Sequence, residues 1–401
     1  MKRSWRLPVA LVTAVVVAEA AVFLLRPRDR DRGPDPVPVQ ARAYFSAAEL
    51  ARGRQFRTGQ RWILVGQTVV GLAVLVWFVR RPPRRLTQHK RPVLAGAAVA
   101  AALSVAGGVA AVPLGVVARE RAKDVGLVTQ DWVGYAGDLV RGQAIGAALA
   151  GAGGALLVVG LRRFRARWWI PGAVVVVAYG AAMTYAAPVV LDPLFNSFTP
   201  VREARLREDV LGLARRAGVE VGEVLVMDAS RRTTAANAYV AGLGQTKRVV
   251  LYDTLIEDFT PEQARLVVAH ELGHQRYGDL ERGLLWVALV APFGMLAVAL
   301  VAARLAPRGQ AYGPAAVPAV VLAVALVLPV LSTVSNQLSR DVERRADAFS
   351  LRLTDDPATF VAFQRRIAVQ NVSDPAPPPL ARWLLGTHPT TLERIGQAEA
   401  F

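Results

Sequence analysis

The residues best suited to chemistry are His270, Glu271 and His274, which form the pattern H-E-x-x-H. In a helix, positions four residues apart lie on one face, so the two imidazoles can hold one metal ion together. Glu271 lies beside them, where it can serve as the base for a metal-activated water. The pattern is short, and chance produces it in on the order of one chain in several hundred. The alternative is a pair of structural histidines.

The flanking residues predict the helix that this spacing requires. Thr260 is a favourable N-cap, Pro261 suits the first helical position, and Gln263 completes a capping box. Gly278 follows as a helix stop. We therefore expect one helix between Thr260 and Gly278, with both histidines on the same face.

A catalytic zinc ion usually takes three protein ligands, and H-E-x-x-H supplies two of them. Glu343 is the best candidate for the third, because Asp347 follows it on the same helical face and can orient one histidine. The alternative for Glu343 is the solvated face of a helix rich in arginine and glutamate. His388 is either a turn residue before Pro389 or a hydrogen-bond donor to the oxyanion formed when water attacks a carbonyl.

The composition indicates an integral membrane protein. Hydrophobic residues make up 53% of the 401 residues and the mean hydropathy is +0.32, which is too apolar for a soluble domain of this size. Seven apolar runs approach or exceed the ~20 residues needed to cross a bilayer, and most are flanked by arginine. The predicted spans are residues 7–25, 62–79, 93–118, 145–161, 168–191, 283–303 and 314–334.

Charge and cysteine content narrow the partners. The formal charge is +17, but the arginines cluster at the ends of the apolar runs, so we expect lipid headgroups as partners and no nucleic acid. The chain has no cysteine, which excludes disulfides and thiolate metal ligands. The first run is either a cleaved signal peptide or a retained anchor, and its extent through Leu25 favours the anchor.

Polar segments divide the chain into four parts. Residues 1–191 carry five spans and an amphipathic interfacial helix over 41–61 that begins at a Ser46 cap. Residues 192–282 and 335–401 are the two halves of a metallopeptidase domain, separated by two spans in 283–334. Because that number is even, both halves lie on one side of the membrane and can build one site.

Short strands are predicted just before the metal helix, at 224–227, 238–243 and 248–252, and they suggest a small antiparallel sheet. Asn237, Ala238 and Tyr239 could pair with an extended peptide as an added strand, although such a tripeptide is more often simply strand. The predicted fold class is therefore mainly α: a polytopic membrane protein of about seven transmembrane helices with a small zincin-like α+β catalytic domain.

Taken together, these segments resemble the type I CAAX prenyl proteases, which are seven-span membrane zinc metalloproteases distantly related to HtpX. The similar segments run in family order over most of the chain. They are 126–130 (GLVTQ), 193–200 (PLFNSFTP), 237–242 (NAYVAG), 247–255 (KRVVLYDTL), the His270 motif, 343–347 (ERRAD), 387–389 (THP) and 394–395 (RI).

The resemblance implies a seven-helix chamber, a peptide or protein substrate, and one zinc ion per chain. The implied zinc ligands are His270, His274 and Glu343. Glu271 is then the base, Asp347 orients a ligand, and His388 lies near the scissile carbonyl. The resemblance also implies a set of substrate-binding residues: Asn237, Ala238, Tyr239 and Arg394.

This sequence departs from eukaryotic members at two places. Asp279 stands where those members usually have a histidine, and Ala235 and Ala236 replace a Ser/His-rich stretch. We expect both changes to alter substrate choice without touching the zinc ligands. Eukaryotic members cleave prenylated C-a-a-X tails, but the composition here looks bacterial, so prenyl specificity is not carried over and the expected location is a bacterial plasma membrane.

Two signals for membrane orientation conflict. The family places its catalytic side in the cytoplasm. However, the loops on the opposite side, at 1–6, 80–91, 162–167 and 304–313, are basic and contain no Asp or Glu, and the positive-inside rule would place them in the cytoplasm. The arginine-rich loop after the first span favours the family orientation.

The leading hypothesis is a membrane-embedded zinc endopeptidase acting on membrane-associated, lipidated or misfolded polypeptides. One alternative is a membrane signalling or sensor protein with a structural zinc site, in which His388 would be the fourth ligand. Another is a transporter, which predicts paired charges within the spans, where Glu19 is the acidic residue found. A monomer is compatible with the sequence, which does not set the oligomeric state.

Overall fold

The computed structural model describes residues 5–87, 90–242 and 244–401, and within them the chain forms fifteen α-helices and one four-stranded sheet. The helices are α1 (Arg6–Leu25), α2 (Ala41–Tyr44), α3 (Ala47–Arg80), α4 (Arg84–Thr87), α5 (Pro92–Asp124), α6 (Trp132–Phe164), α7 (Trp169–Val190), α8 (Ala204–Ala217), α9 (Asp253–Asp258), α10 (Pro261–Tyr277), α11 (Asp279–Leu305), α12 (Val317–Thr354), α13 (Pro357–Gln370), α14 (Pro379–Leu385) and α15 (Thr391–Glu399). The strands are β1 (Phe198–Pro200), β2 (Glu223–Met227), β3 (Ala238–Ala241) and β4 (Arg248–Tyr252).

In the described part of the chain, seven helices are long and apolar enough to cross a membrane, which confirms the predicted number of spans; they are α1, α3, α5, α6, α7, α11 and α12. Four of these, α3, α5, α6 and α12, contain 33 to 38 residues. At the α-helical rise, such helices are roughly 50 Å long or more. Because the hydrocarbon core of a bilayer is about 30 Å thick, they project well beyond it.

The second span does not begin with a separate interfacial helix, as the sequence suggested for residues 41–61. Instead α3 starts after Ser46 and runs unbroken to Arg80. The predicted cap is present: Glu49 N donates to Ser46 Oγ at 3.2 Å, and Ser46 N donates to Glu49 Oε2 at 2.8 Å. No proline occurs in residues 47–80, and a helix that has nucleated extends readily through such a sequence.

Small residues let some of the spans approach closely, as expected from the Ala/Gly-rich composition. The clearest case is the crossing of α5 and α6, where Gly96 faces Gly154. A Cβ added to Gly154 would lie 2.5 Å from both Ala100 Cβ and the Gly96 carbonyl oxygen. The two backbones are therefore in contact, with no room for a side chain.

Other faces of the spans are not packed against protein. In the most apolar stretch of α3, only 6% of the residues are buried inside the protein, and in that of α7 none is buried. Helices with so little packed surface line a chamber on one side and face lipid on the other. The seven spans thus enclose a chamber and do not form a solid bundle.

The polar half of the molecule, residues 192–282 and 335–401, has its own hydrophobic core. Residues of α8, α10, α13 and α15, of the sheet, and of the projecting end of α12 pack together there. Leu251, Leu255, Leu272 and Leu351 are almost completely inaccessible to solvent. The two polar segments therefore fold as one unit, although two spans separate them in sequence.

The sheet is mixed and has the strand order β1-β2-β4-β3, so the predicted all-antiparallel arrangement is wrong for one pair. β2 and β4 are parallel, whereas β3 and β4 form an antiparallel pair. Val249, Val250 and Leu251 are fully buried, and a strand buried on both faces occupies a central position with partners on both sides. β1 was not predicted, and Leu243, the expected end of the second strand, lies outside the described residues.

The α5–α6 crossing generates a paired prediction. Gly154→Ala should destabilise the protein by about 1–3 kcal/mol, the usual cost of overpacking. The adjacent Gly153 has no neighbouring atom within 4 Å of an added Cβ, so Gly153→Ala should be neutral or slightly stabilising. Thermal unfolding of the detergent-purified variants would measure both. Equal melting temperatures for the two variants would contradict the close backbone contact.

Candidate metal centre

The predicted helix is present as α10, and the expected residues form its ends. Thr260 and Gln263 make the capping box, with both hydrogen bonds at 3.3 Å. Gly278 ends the helix with a φ of 62°, in the left-handed region that favours glycine. His270 and His274 therefore lie one turn apart near the C-terminal end of a well-defined helix.

α10 packs tightly against the projecting part of α12. Ser350 Oγ on α12 donates a hydrogen bond to the Leu266 carbonyl oxygen of α10 at 2.8 Å. Gly273 allows the close approach, because a Cβ at this position would lie only 3.1 Å from Phe349 Cδ1. This contact brings Glu343 of α12 to the two histidines of α10.

The three candidate ligands form a small triangle. His270 Nε2 lies 3.1 Å from His274 Nε2 and 3.2 Å from Glu343 Oε2, and His274 Nε2 lies 3.6 Å from Glu343 Oε1. Zinc bonds of about 2.0–2.2 Å in tetrahedral geometry separate ligand atoms by roughly 3.4 Å. Glu343 Oε2 is buried and has no hydrogen-bond partner among the described residues. A zinc ion would satisfy it, so the residues fit this metal.

Asp347 lies behind the first histidine. Its Oδ1 is 2.9 Å from His270 Nδ1, and the carboxylate is completely buried. Arg394 of α15 binds this carboxylate with two nitrogens, and its Nε lies 2.8 Å from Oδ2. The structure thus places Arg394, which was predicted to bind substrate, against Asp347 on the side of His270 away from the metal position.

Asp279 lies behind the second histidine, and sequence reasoning missed it. His274 Nδ1 is 3.0 Å from Asp279 Oδ2, so the expectation that position 279 touches none of the candidate zinc ligands is wrong. Asp279 Oδ1 in turn accepts a hydrogen bond from Arg345 of α12. The signal available in the sequence was the position of Asp279 directly after the helix stop Gly278, where the chain reverses towards the preceding turn.

Glu271 follows His270 on α10 and is partly exposed. Burial raises the pKa of its carboxyl above the ordinary value, and the neighbouring histidines oppose this shift. A carboxylate with a raised pKa is a stronger base, which suits the role predicted for Glu271.

His388 lies on the other side of the triangle, where its Nε2 is 3.3 Å from Glu343 Oε1. Its side chain is 59% exposed and borders an open cavity of about 480 Å³. Two side chains of α12 hold the preceding segment in place: Asn336 donates to the Leu384 carbonyl oxygen at 2.9 Å, and Arg340 to that of Gly386 at 2.7 Å. Helix α12 therefore positions His388 as well as Glu343.

The predicted substrate strand is the edge strand β3. Asn237, just before it, is exposed. Ala238 is buried in the core of the polar half, so only its backbone could meet a peptide. The hydroxyl of Tyr239 donates to Asp192 at 3.2 Å, and burial together with this carboxylate raises the pKa of Tyr239, which keeps the hydroxyl protonated.

These features define an integral membrane protein with a His-His-Glu group that could hold a metal ion, as in metallopeptidases, built where its spans project from the bilayer. Residues 200–401, half of the chain, match the model of peptidase family M48. The chain belongs to peptidase family M48.

Similar proteins agree with this assignment. The uncharacterized metalloprotease YhfN of Bacillus subtilis is 27% identical over 246 residues, which are 60% of this chain and 58% of that protein. CAAX prenyl protease 1 of Saccharomyces cerevisiae is 41% identical over 88 residues, which are 22% of this chain and 19% of the yeast protein. The matched segments thus cover less than two thirds of these relatives.

The crystal structure of S. mikatae Ste24p aligns with 100% of this chain and 99% of its own, with a TM-score of 0.74 and 18% sequence identity. The two proteins therefore share a fold over their whole length. Together with the M48 match and the CAAX protease relatives, this confirms the resemblance to the type I CAAX prenyl proteases.

The close packing at Gly273 predicts that a larger side chain at this position will weaken metal retention. Gly273→Val should push α10 from α12, destabilise the protein by about 1–3 kcal/mol and weaken zinc binding. Gly212→Val on α8 is the control, because the nearest atom to its added Cβ is the end of the flexible Arg215 side chain at 3.8 Å. Zinc per chain after dialysis and the melting temperature would be measured, and wild-type values for Gly273→Val would refute the packing argument.

Proposed function

We propose that this protein is a membrane-embedded zinc endopeptidase with one zinc ion per chain. The observation that carries the proposal is the triangle of His270, His274 and Glu343 ligand atoms. Glu271 is adjacent in sequence, and His388, which lies 3.3 Å from Glu343, borders an open cavity. Membership in peptidase family M48 supports the same activity. The substrates are membrane-associated, lipidated or misfolded polypeptides.

The number of ligands favours a catalytic zinc over a structural one. Structural sites are closed by four protein ligands, whereas catalytic sites keep one position open. Among the described residues, the set whose ligand atoms all lie within 4.8 Å of one another consists of His270, His274 and Glu343. His388 is not in that set. The alternative of a sensor with a closed, structural site therefore has less support.

When bound, zinc would polarise the scissile carbonyl and activate water for attack. Glu271 takes the proton from that water and delivers it to the leaving amine, which avoids a covalent intermediate. His388 is placed on the open side of Glu343, where it can donate a hydrogen bond to the developing oxyanion. Asp347, held by Arg394, keeps the His270 ring oriented.

The substrate is proposed to lie extended along β3, the edge strand, with Asn237 and the backbone of Ala238 and Tyr239 as its partners. Arg394 contributes indirectly through Asp347. The name of the yeast relative specifies prenylated substrates for that protein. For this chain we propose polypeptides at the membrane, with or without a lipid, and a monomer that binds the bilayer and no nucleic acid.

The proposed base, Glu271, can be tested by removing its negative charge. Glu271→Gln should retain about one zinc per chain but lose peptide hydrolysis by roughly 10²–10⁴-fold, because general-base catalysis contributes that much. Metal content and cleavage of a quenched peptide would be measured on detergent-purified protein. Glu262→Gln is the control, since Glu262 is an exposed carboxylate on the first turn of the same helix.

Two outcomes would count against an endopeptidase. If Glu271→Gln cleaves as fast as wild type, another residue is the base and the assigned mechanism is wrong. If wild type binds zinc but cleaves neither plain nor lipidated peptides, the structural-zinc alternative is favoured.

We propose that the protein lies in a bacterial plasma membrane with its polar half in the cytoplasm, the orientation that the resemblance implies. Because the chain has no cysteine, single cysteines report orientation directly. With a membrane-impermeant maleimide on intact cells, Arg163→Cys should be labelled, whereas Glu220→Cys should react only after lysis. Both positions are exposed. The reverse pattern would show that the positive-inside signal of the basic loops prevails.

A further inference from the structure

Each candidate histidine ligand is backed by its own carboxylate and arginine, and the pair behind His274 has no assigned role. His274 Nδ1 lies 3.0 Å from Asp279 Oδ2. Arg345 donates to Asp279 Oδ1 and stacks over the Tyr277 ring, with its guanidinium carbon 4.2 Å from the ring centroid. Arg345 is only 2% exposed.

We propose that Asp279 and Arg345 are positioning residues that hold the His274 ring for zinc and slow the release of the metal. The proposal rests on the proposed zinc site and deepens it. A carboxylate that accepts the Nδ1–H proton fixes the tautomer in which the Nε2 lone pair faces the metal, and it makes the imidazole a stronger ligand. Asp279 is not a ligand itself, because His274 lies between it and the metal position.

The backbone conformation at Gly278 places Asp279 beside His274 Nδ1. Gly278, with its left-handed φ, reverses the chain between α10 and α11, and Asp279 is the first residue of α11. At the N-terminus of this 27-residue helix, the carboxylate is also stabilised by the helix dipole. The Asp279 side chain is only 7% exposed.

Arg345 makes this burial tolerable. A buried carboxylate without a cation is strongly unfavourable, whereas a paired and hydrogen-bonded one is retained at modest cost. Arg282 contributes a second, longer contact, with its Nε 3.6 Å from Asp279 Oδ1. Arg345 lies on α12 between Glu343 and Asp347, so one short stretch of α12 supplies the third ligand and supports both histidines.

The test is the rate of zinc release to excess chelator, measured without substrate. Replacement of a residue that orients a metal ligand typically weakens metal binding by about 10–100-fold. We expect Asp279→Asn to release zinc about 10–100-fold faster than wild type, as Asp347→Asn should. Asp138→Asn is the matched control, since Asp138 is also a carboxylate held by an arginine, Arg232, but touches neither histidine. Its release rate should equal that of wild type.

A second variant guards against simple misfolding. Asp279→Asn combined with Arg345→Met removes both buried charges, so neither is left unpaired and the fold should be preserved. Gel filtration and the melting temperature of the metal-free protein check this. The double variant should release zinc as fast as Asp279→Asn, and wild-type release from either folded variant would overturn the proposal.

Peptide hydrolysis by the same preparations separates the two proposals. If wild type binds zinc and cleaves nothing, the endopeptidase assignment fails while the release rates still decide the role of Asp279. If wild type cleaves and Asp279→Asn releases zinc at the wild-type rate, the endopeptidase assignment stands and the positioning role is refuted.

Discussion

The metal centre depends on the close packing of α10 against α12. The H-E-x-x-H pattern by itself presents two imidazoles on one face of a helix, and it becomes a three-ligand site only where another helix comes near. Gly273 permits this approach, because even a Cβ there would lie only 3.1 Å from the Phe349 ring. The hydrogen bond from Ser350 to Leu266 fixes the contact further along the same interface. Gly273 thus allows the two helices to pack closely, while His270, Glu271 and His274 carry the proposed chemistry.

Electrostatic compensation is the second constraint. Besides Glu271, the site gathers three carboxylates within a desolvated region, and each such charge is unfavourable unless it is paired. Asp347 is paired with Arg394, and Asp279 with Arg345. Glu343 has one buried oxygen with no hydrogen-bond partner among the described residues. The arginines therefore neutralise the carboxylates that lie against the histidines, and the charge of Glu343 is left for a cation.

Features of local origin could be predicted from the sequence. These features follow from residue spacing within one helix: the capping box of α10, its end at Gly278, the seven apolar helices, and the i, i+4 pairs His270–His274 and Glu343–Asp347. The residues of other helices and loops that meet the histidines of α10 were harder to predict. Glu343 was selected because the metal required a third ligand, and His388 because a histidine in the second polar segment could donate a hydrogen bond to an oxyanion.

The misses have physical reasons of the same kind. Asp279 lies five residues from His274, a distance at which a continuous helix would carry it away from the ring. The left-handed turn at Gly278 places Asp279 next to the His274 ring. The role of Asp279 could be recognised only from its contact with Arg345, a residue of the distant helix α12. The parallel pairing of β2 with β4 likewise depends on which strand is buried on both faces. The interfacial helix was predicted from a change in polarity along α3 that does not interrupt the backbone.

The location of these residues links the site to the membrane. Asp279 opens α11, and Glu343, Arg345 and Asp347 lie on the projecting end of α12, so the sixth and seventh spans carry groups around the metal position. A shift or tilt of either span would move an oriented ligand or its partner. The helices that cross the membrane and the helices that carry the candidate ligands are thus the same helices, so the geometry of the metal position is tied to the packing of the spans.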